Sequence, residues 1–252
     1  MVTYKSSSGL SSIKETILST IYSRFAKWAT SEQFCCKAGC FTCCSTNVTI
    51  TALEGLQILK YCEHENLTQW LGEQLVKCSL RSAPEQTTNE FVATVLNKQT
   101  APSPYKHVEG RCFFLQDEMC LIYPVRPFSC RCFASTTPCS TCDTATVPDT
   151  YLYGSTAAMQ IIEHLGQFNS WGFMCDILVE QAHLNNYSKI IKATQPSEQI
   201  ISAKSRLRAA QPIAGFIFPE NENNSISALL QSVFSAKIDS RTVEQILNGE
   251  KA

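Results

Sequence analysis

The stretch "CCKAGCFTCCSTNVTITALEGLQILKYC", residues 35–62, decides how this chain is read. Its first ten residues carry five cysteines around Gly39, a glycine suited to a turn. Residues 46–51, "TNVTIT", are β-branched and alternating, which predicts a short strand or extended segment. Thr51 followed by Glu54 has capping-box spacing, so "ALEGLQILKYC" is expected to be a helix beginning there. A thiol-rich turn, a strand and a capped helix thus follow one another without a linker.

The flanking segments extend the pattern. Upstream, Leu10, Ile13, Ile17, Ile21, Phe25 and Trp28 form one helical face, with Ser12 and Glu15 as a capping box at or just inside its start. Downstream, Leu67, Leu71, Leu75 and Cys78 predict a helix over 67–78, and residues 88–98 predict another. "TAPSPY", residues 100–105, is a proline loop. In "HVEGRCFFLQDEMCLIYPVRPFSCRCF", residues 107–133, two apolar runs flank the polar "QDE". They predict a β-hairpin with a three- to four-residue turn, stopped by Pro124 and Pro127. Residues 135–150 read as a polar loop. Helices follow over 155–166, 173–187, 197–210, 225–236 and 240–248, with "PENENNS" as a linker. The expected fold is α+β and predominantly helical: a small hairpin and a cysteine-rich turn form a metal cage, and C-terminal helices pack around it. Residues 1–150 form the cysteine-cluster region and 151–252 the helical region of one continuous domain.

The bulk composition narrows the function. With 252 residues, 44% hydrophobic and 17% charged, the chain can bury a sizeable core. A net charge of −1 and the absence of a Lys/Arg run argue against nucleic acid and acidic membranes as partners. The first fifteen residues lack a signal-peptide apolar run, and no run approaches the roughly 20 residues of a membrane span. A cytoplasmic location is expected, where thiols stay reduced. The 14 cysteines are the outlier, and the adjacent pairs Cys35-Cys36 and Cys43-Cys44 disfavour a disulfide framework.

Metal ligation accounts better for the spacing. Cys36-x3-Cys40-x2-Cys43-Cys44 aims several sulfurs at one point, and Cys112-x7-Cys120-x9-Cys130, followed by Cys132, supplies a second segment. Structural zinc sites combine ligand pairs from two segments in this way, and iron–sulfur clusters use similarly close thiolates. One divalent ion with four thiolates already carries a net −2, and seven or eight would exceed its tetrahedral shell. Either several metals share the set or some cysteines are not ligands. Lys37, Arg111, Arg126 and Arg131 lie beside the cysteines and are expected to offset charge on sulfur.

The combination of "CKAGCFTCC", "TITALEG" and "CFFLQDEMCLIYPVRPFSCRCF" resembles the CxxCxxCC cysteine-cluster proteins of the YkgJ type, a zinc- or iron-chelating family. Matching positions are Cys36, Cys40, Cys43, Cys44, Glu54, Cys112, Leu115, Cys120, Ile122, Tyr123, Arg126, Pro127, Cys130 and Arg131, over roughly residues 35–133. The resemblance implies metal chelation and, in some relatives, association with iron–sulfur-dependent protein lysine methylation. Two functions are therefore expected to compete. One is a protein holding zinc or iron through Cys36, Cys40, Cys43, Cys44, Cys112, Cys120 and Cys130, with Arg126 and Arg131 around the sulfurs. The other is an iron–sulfur or polynuclear-iron enzyme doing redox or radical chemistry. The metal ions are the expected partners, and no protein partner is indicated. Cys35, Cys132, Cys139 and Cys142 lie outside the motif; Cys130 and Cys132 with Cys139 and Cys142 would be a second site, with Cys175 as a further candidate.

Other residues have plainer readings. Cys62 and Cys78 sit among apolar neighbours and read as core. His64, His164 and His183 read as surface or satisfied core residues of helices, and His107 precedes the hairpin as a lesser ligand candidate. Tyr123 reads as packing and Glu54 as a cap. The sequence contains no GxGxxG, Walker, GxSxG or HExxH motif.

Overall fold

Thr51 caps the helix that its spacing predicts. In the computed structural model, its hydroxyl accepts the Glu54 N–H at 3.3 Å, and Glu54 Oε2 accepts the Thr51 N–H at 2.9 Å. The structure describes residues 8–78, 82–100, 110–139, 145–194, 197–217 and 223–250. Within these, the helices are α1 (Ser8–Trp28), α2 (Ala52–His64), α3 (Thr68–Lys77), α4 (Thr88–Leu96), α5 (Phe128–Cys132) and α6 (Asp149–Leu165). They continue with α7 (Met174–Leu184), α8 (Ser188–Ala193), α9 (Ser197–Arg206), α10 (Asn223–Phe234) and α11 (Val243–Leu247). The strands are β1 (Thr49–Thr51), β2 (Leu115–Gln116), β3 (Met119–Cys120), β4 (Ser170–Phe173), β5 (Arg208–Ala209), β6 (Lys237–Ile238) and β7 (Arg241–Thr242). The protein is α+β and mostly helical.

A three-stranded antiparallel sheet, in the order β1-β4-β5, orients the helices. Ile50 faces Gly172 and Thr51 faces Trp171 across the β1/β4 pair. Each of these two strands runs directly into a helix, β1 into α2 and β4 into α7, and the two helices pack together. Gly55 makes that packing close: a Cβ there would stand 2.5 Å from Ile177 Cγ2.

Two hydrophobic cores result. The first joins Ile17, Leu18, Ile21 and Phe25 of α1 to Ile161, Ile162 and Leu165 of α6 and Ile226, Leu229 and Val233 of α10. The second joins Ile58, Leu59 and Cys62 of α2 to Leu71 and Leu75 of α3, Ile177 and Leu178 of α7, and Ile190 of α8. Both cores draw on residues from either side of residue 150.

The structure refines several sequence expectations. α1, α2, α3 and α4 lie close to the expected places. The hairpin turns through Asp117 and Glu118 alone, with φ of 47° and 63°, and pairs two residues per strand. This is the left-handed, two-residue turn that matches strand twist. β4, α5 and α8 were not anticipated. Cys78 is not a free core thiol: it is bonded to Cys175, 97 residues away, joining the C-terminus of α3 to the first turn of α7. Cys62 is fully buried as expected. His64 is exposed, His164 accepts the Ile213 N–H at 3.1 Å, and His183 meets the Thr194 hydroxyl at 3.1 Å. The 100–105 loop beyond residue 100, His107, Cys142 and residues 219–222 of the linker lie outside the described residues. Among the described residues, no helix is long and apolar enough to cross a membrane.

Candidate metal centre

Residues 35–44 contain no buried side chain and no regular secondary structure. The segment is shaped by two turns, in which Cys40 N–H donates to the Lys37 carbonyl at 3.0 Å and Cys44 N–H to that of Phe41 at 2.9 Å. Gly39 adopts φ +85°, a conformation that costs glycine least. Main-chain bonds secure both ends. At the entrance, Cys35 N–H donates to Ser135 O at 2.8 Å. At the exit, Cys112 N–H donates to Cys44 O at 3.2 Å and Thr46 N–H to Gly110 O at 3.0 Å.

The second cysteine stretch is held by buried anchors. Phe114 and Ile122, each two residues beyond a cysteine, insert into the second core. Phe128, two residues before Cys130, inserts into the first core and meets Phe25 edge-on at 4.8 Å. Glu54 completes the placement. Its carboxylate is 4% exposed and accepts the Tyr22 hydroxyl at 2.8 Å, the Phe128 N–H at 2.8 Å, and both the N–H and hydroxyl of Thr51. One buried carboxylate thus ties α1 and α2 to the start of the cysteine-bearing α5. The expected capping role is present, and Glu54 is fully occupied by protein donors.

The two stretches converge. Cys44 lies within electrostatic reach of Cys112, Cys120 and Cys130, and Cys130 also feels Cys43 and Cys132. Cys36 is near Cys40, Cys43 and Cys139. Phe114 and Leu115 direct N–H groups at the Cys112 sulfur, and Ile122 directs one at the Cys120 sulfur. Such donors favour thiolate over thiol. Against this, burial pushes Cys112 up to about 11 and drives Cys130 well above the ordinary thiol value, aided by its charged neighbours. Cys43 is raised strongly because its S–H is held by the Cys44 sulfur, and Cys44 is lowered by the same bond.

Arg126 lies near Cys43 and Cys120, where its charge partly opposes the rise of both thiol pKa values. Its guanidinium stacks on Tyr123 at 3.9 Å, and its Nε is buried without a partner among the described residues. Arg131 behaves differently. Its donors go to the carbonyls of Arg126 at 2.7 Å and Pro124 at 2.6 Å, and it stacks on Tyr22. It clips residues 124–131 together, and its charge falls near Cys130.

Of the candidates for a second site, Cys142 lies outside the described residues and Cys175 is not a free thiol. Cys175 is bonded to Cys78, and Cys132 packs on the first core with its S–H toward Ser129 O at 3.7 Å. Cys139 instead approaches Cys36, a proximity that spacing across a hundred residues does not reveal. Among the described residues, no three His, Cys, Asp or Glu side chains already stand in a coordination shell. The donor set still fits a soft metal: many thiols, brought together by main-chain bonds, with N–H groups aimed at sulfur. No family model, curated protein or solved structure matches this chain.

Proposed function

We propose that this chain is a metal-binding protein that chelates zinc or iron through Cys36, Cys40, Cys43, Cys44, Cys112, Cys120 and Cys130. The observation carrying this reading is the pairing of Cys44 with Cys112 through the main chain, which draws Cys120 and Cys130 into the same neighbourhood. Crowded, half-buried thiols repel one another once ionised, and a cation removes that cost. The main-chain N–H groups on Cys112 and Cys120 would support the thiolate form when metal is bound. Arg126 would lend positive charge beside Cys43 and Cys120.

A second reading is an iron–sulfur or polynuclear-iron enzyme. The number of sulfurs, larger than one tetrahedral shell, is what favours it. Purification without oxygen separates the two through metal analysis, acid-labile sulfide and the visible spectrum. Colourless protein with zinc supports chelation, whereas brown protein with sulfide supports the cluster enzyme. Metal-free protein with all free thiols reactive and an intact fold removes both.

A further inference from the structure

Far from the thiols, the turn that links α6 to β4 places an aromatic ring in an unfavourable position. Phe168 has a φ of 67°, and its side chain is 83% exposed. A bulky residue seldom adopts this left-handed backbone, and an exposed ring gains no burial to offset the strain. The conformation is imposed from both sides. Phe168 N–H donates to Ala210 O at 3.1 Å, and Asn169 N–H donates to Gly166 O at 3.0 Å. The turn holds the ring at the surface, and among the described residues it joins neither hydrophobic core.

Phe168 lines a cleft of about 360 Å³. α7 contributes Glu180 and the exposed Leu184, the last turn of α9 contributes Lys204, and Leu207 and Arg208 follow. The charges in this cleft differ in their partners. Arg208 is engaged by Glu90, to whose carboxylate its Nε and Nη2 donate at 3.1 and 3.0 Å. Glu180 accepts neutral donors, the Ser170 hydroxyl at 2.8 Å and the Gln181 side-chain amide at 3.2 Å. Among the described residues, neither Glu180 nor Lys204 takes part in an ion pair, with each other or with another residue. One cleft thus presents an anion, a cation and exposed apolar side chains.

We propose that this cleft binds a free apolar α-amino acid. The α-ammonium would meet Glu180, the α-carboxylate Lys204, and the side chain Phe168 and Leu184. Each carboxylate oxygen carries two lone pairs, so Glu180 can accept an ammonium beside its present donors. A zwitterion answers both charges at once, whereas a simple acid or a simple amine leaves one of them without a partner. The volume lies near the lower end of the about 300–1,000 Å³ found for small-molecule pockets, which suits a single amino acid. The fixed turn gains a use on this view, because a ring already held in place costs little further ordering on binding. No cysteine lines the cleft, so the proposal is independent of metal binding.

Titration of the full chain with L-phenylalanine and L-leucine, followed by amide NMR, tests the site. Saturable shifts are expected around Phe168, Glu180, Leu184 and Leu207. Glycine, without the apolar group, should bind about tenfold more weakly or worse. The methyl ester lacks the carboxylate and the N-acetyl derivative lacks the ammonium, so each should lose about tenfold or more on the wild-type protein. Lys204→Met and Glu180→Gln should reproduce those losses for the unmodified amino acids. Phe168→Gly relieves the backbone and removes the ring, so Tm should hold or rise while L-phenylalanine binds about tenfold more weakly. No saturable shift with either amino acid, undiminished binding of the ester or the N-acetyl derivative, or full affinity in Phe168→Gly overturns the proposal. Shifts confined to the cysteine loop and hairpin also overturn it, because the amino acid would then be reporting on a bound metal.

Discussion

The cysteine loop and α2, only a few residues apart in sequence, become ordered in opposite ways. Residues 35–44 bury no side chain, whereas α2 buries Ala52, Glu54, Gly55, Ile58, Leu59 and Cys62. The helix carries its own reasons to fold: a capping box, an apolar face and a close partner in α7. The loop has hydrogen bonds at its ends and thiols along its length. Backbone ordering costs about 1–2 kcal/mol per residue, which exposed turns do not recover by burial. The loop buries little to offset that cost, and under the proposed function a bound ion would supply the difference.

Metal removal should break this comparison most visibly. Chelation of the loaded protein is expected to bring amide exchange in residues 35–46 near solution rates, with a smaller rise over 110–120. Exchange in α2 and α7 should scarcely change. Because both cores combine segments from either side of residue 150, the loss stays local to the loop and hairpin rather than spreading through the N-terminal half. Equal loss of protection in α2 would show that the helix is not self-supporting.

Glu54→Ala attacks the opposite side. It removes the acceptor of the Thr51 N–H and leaves buried donors at Phe128 and Tyr22 unsatisfied, at about 1–3 kcal/mol each. A total loss of about 2–6 kcal/mol in denaturant unfolding is expected. A loss below about 1 kcal/mol would mean that α5 is held in place without Glu54.

The Cys78–Cys175 bond lies wholly within the helical frame. Closing a loop of 97 residues, it is expected to stabilise the fold by about 2–4 kcal/mol. Cys175→Ser should lower the urea midpoint accordingly and abolish the effect of a phosphine reductant on it. Zinc content should stay the same, since neither sulfur belongs to the proposed ligand set. Zinc loss in this variant would sink the separation of frame and loop.

What the sequence revealed follows the same boundary. α1 to α4 were legible because periodicity and capping residues act locally, and Thr51 with Glu54 marked a helix start that the structure reproduces. β4 was not legible: at four residues "SWGF" is too short for its alternation to stand out, and its strand form comes from pairing with β1 and β5. α5 and α8 are too short to establish a period. The approach of the two cysteine stretches was expected from spacing, and main-chain bonds now join Cys44 to Cys112. The Cys78–Cys175 pair and the approach of Cys139 to Cys36 are long-range contacts, on which local pattern is silent.

The smallest expected effect concerns a buried acid far from the thiols. Glu163, on α6, is 1% exposed and accepts N–H bonds from Asn89 at 2.9 Å and Gln211 at 2.8 Å, with no carboxylate–cation pair among the described residues. Burial raises its pKa, and the N–H donors only partly oppose that. A raised carboxyl pKa means that the unfolded chain releases this proton first. The contribution to stability is thus full below the ordinary value of 4.5 and falls as pH rises through the folded value. Glu163→Gln cannot titrate, so the wild-type advantage over it should be greatest in acid and shrink toward neutral pH in parallel urea titrations. An advantage that grows with pH would mean that the two N–H bonds outweigh burial, and that this acid supports the frame as a carboxylate.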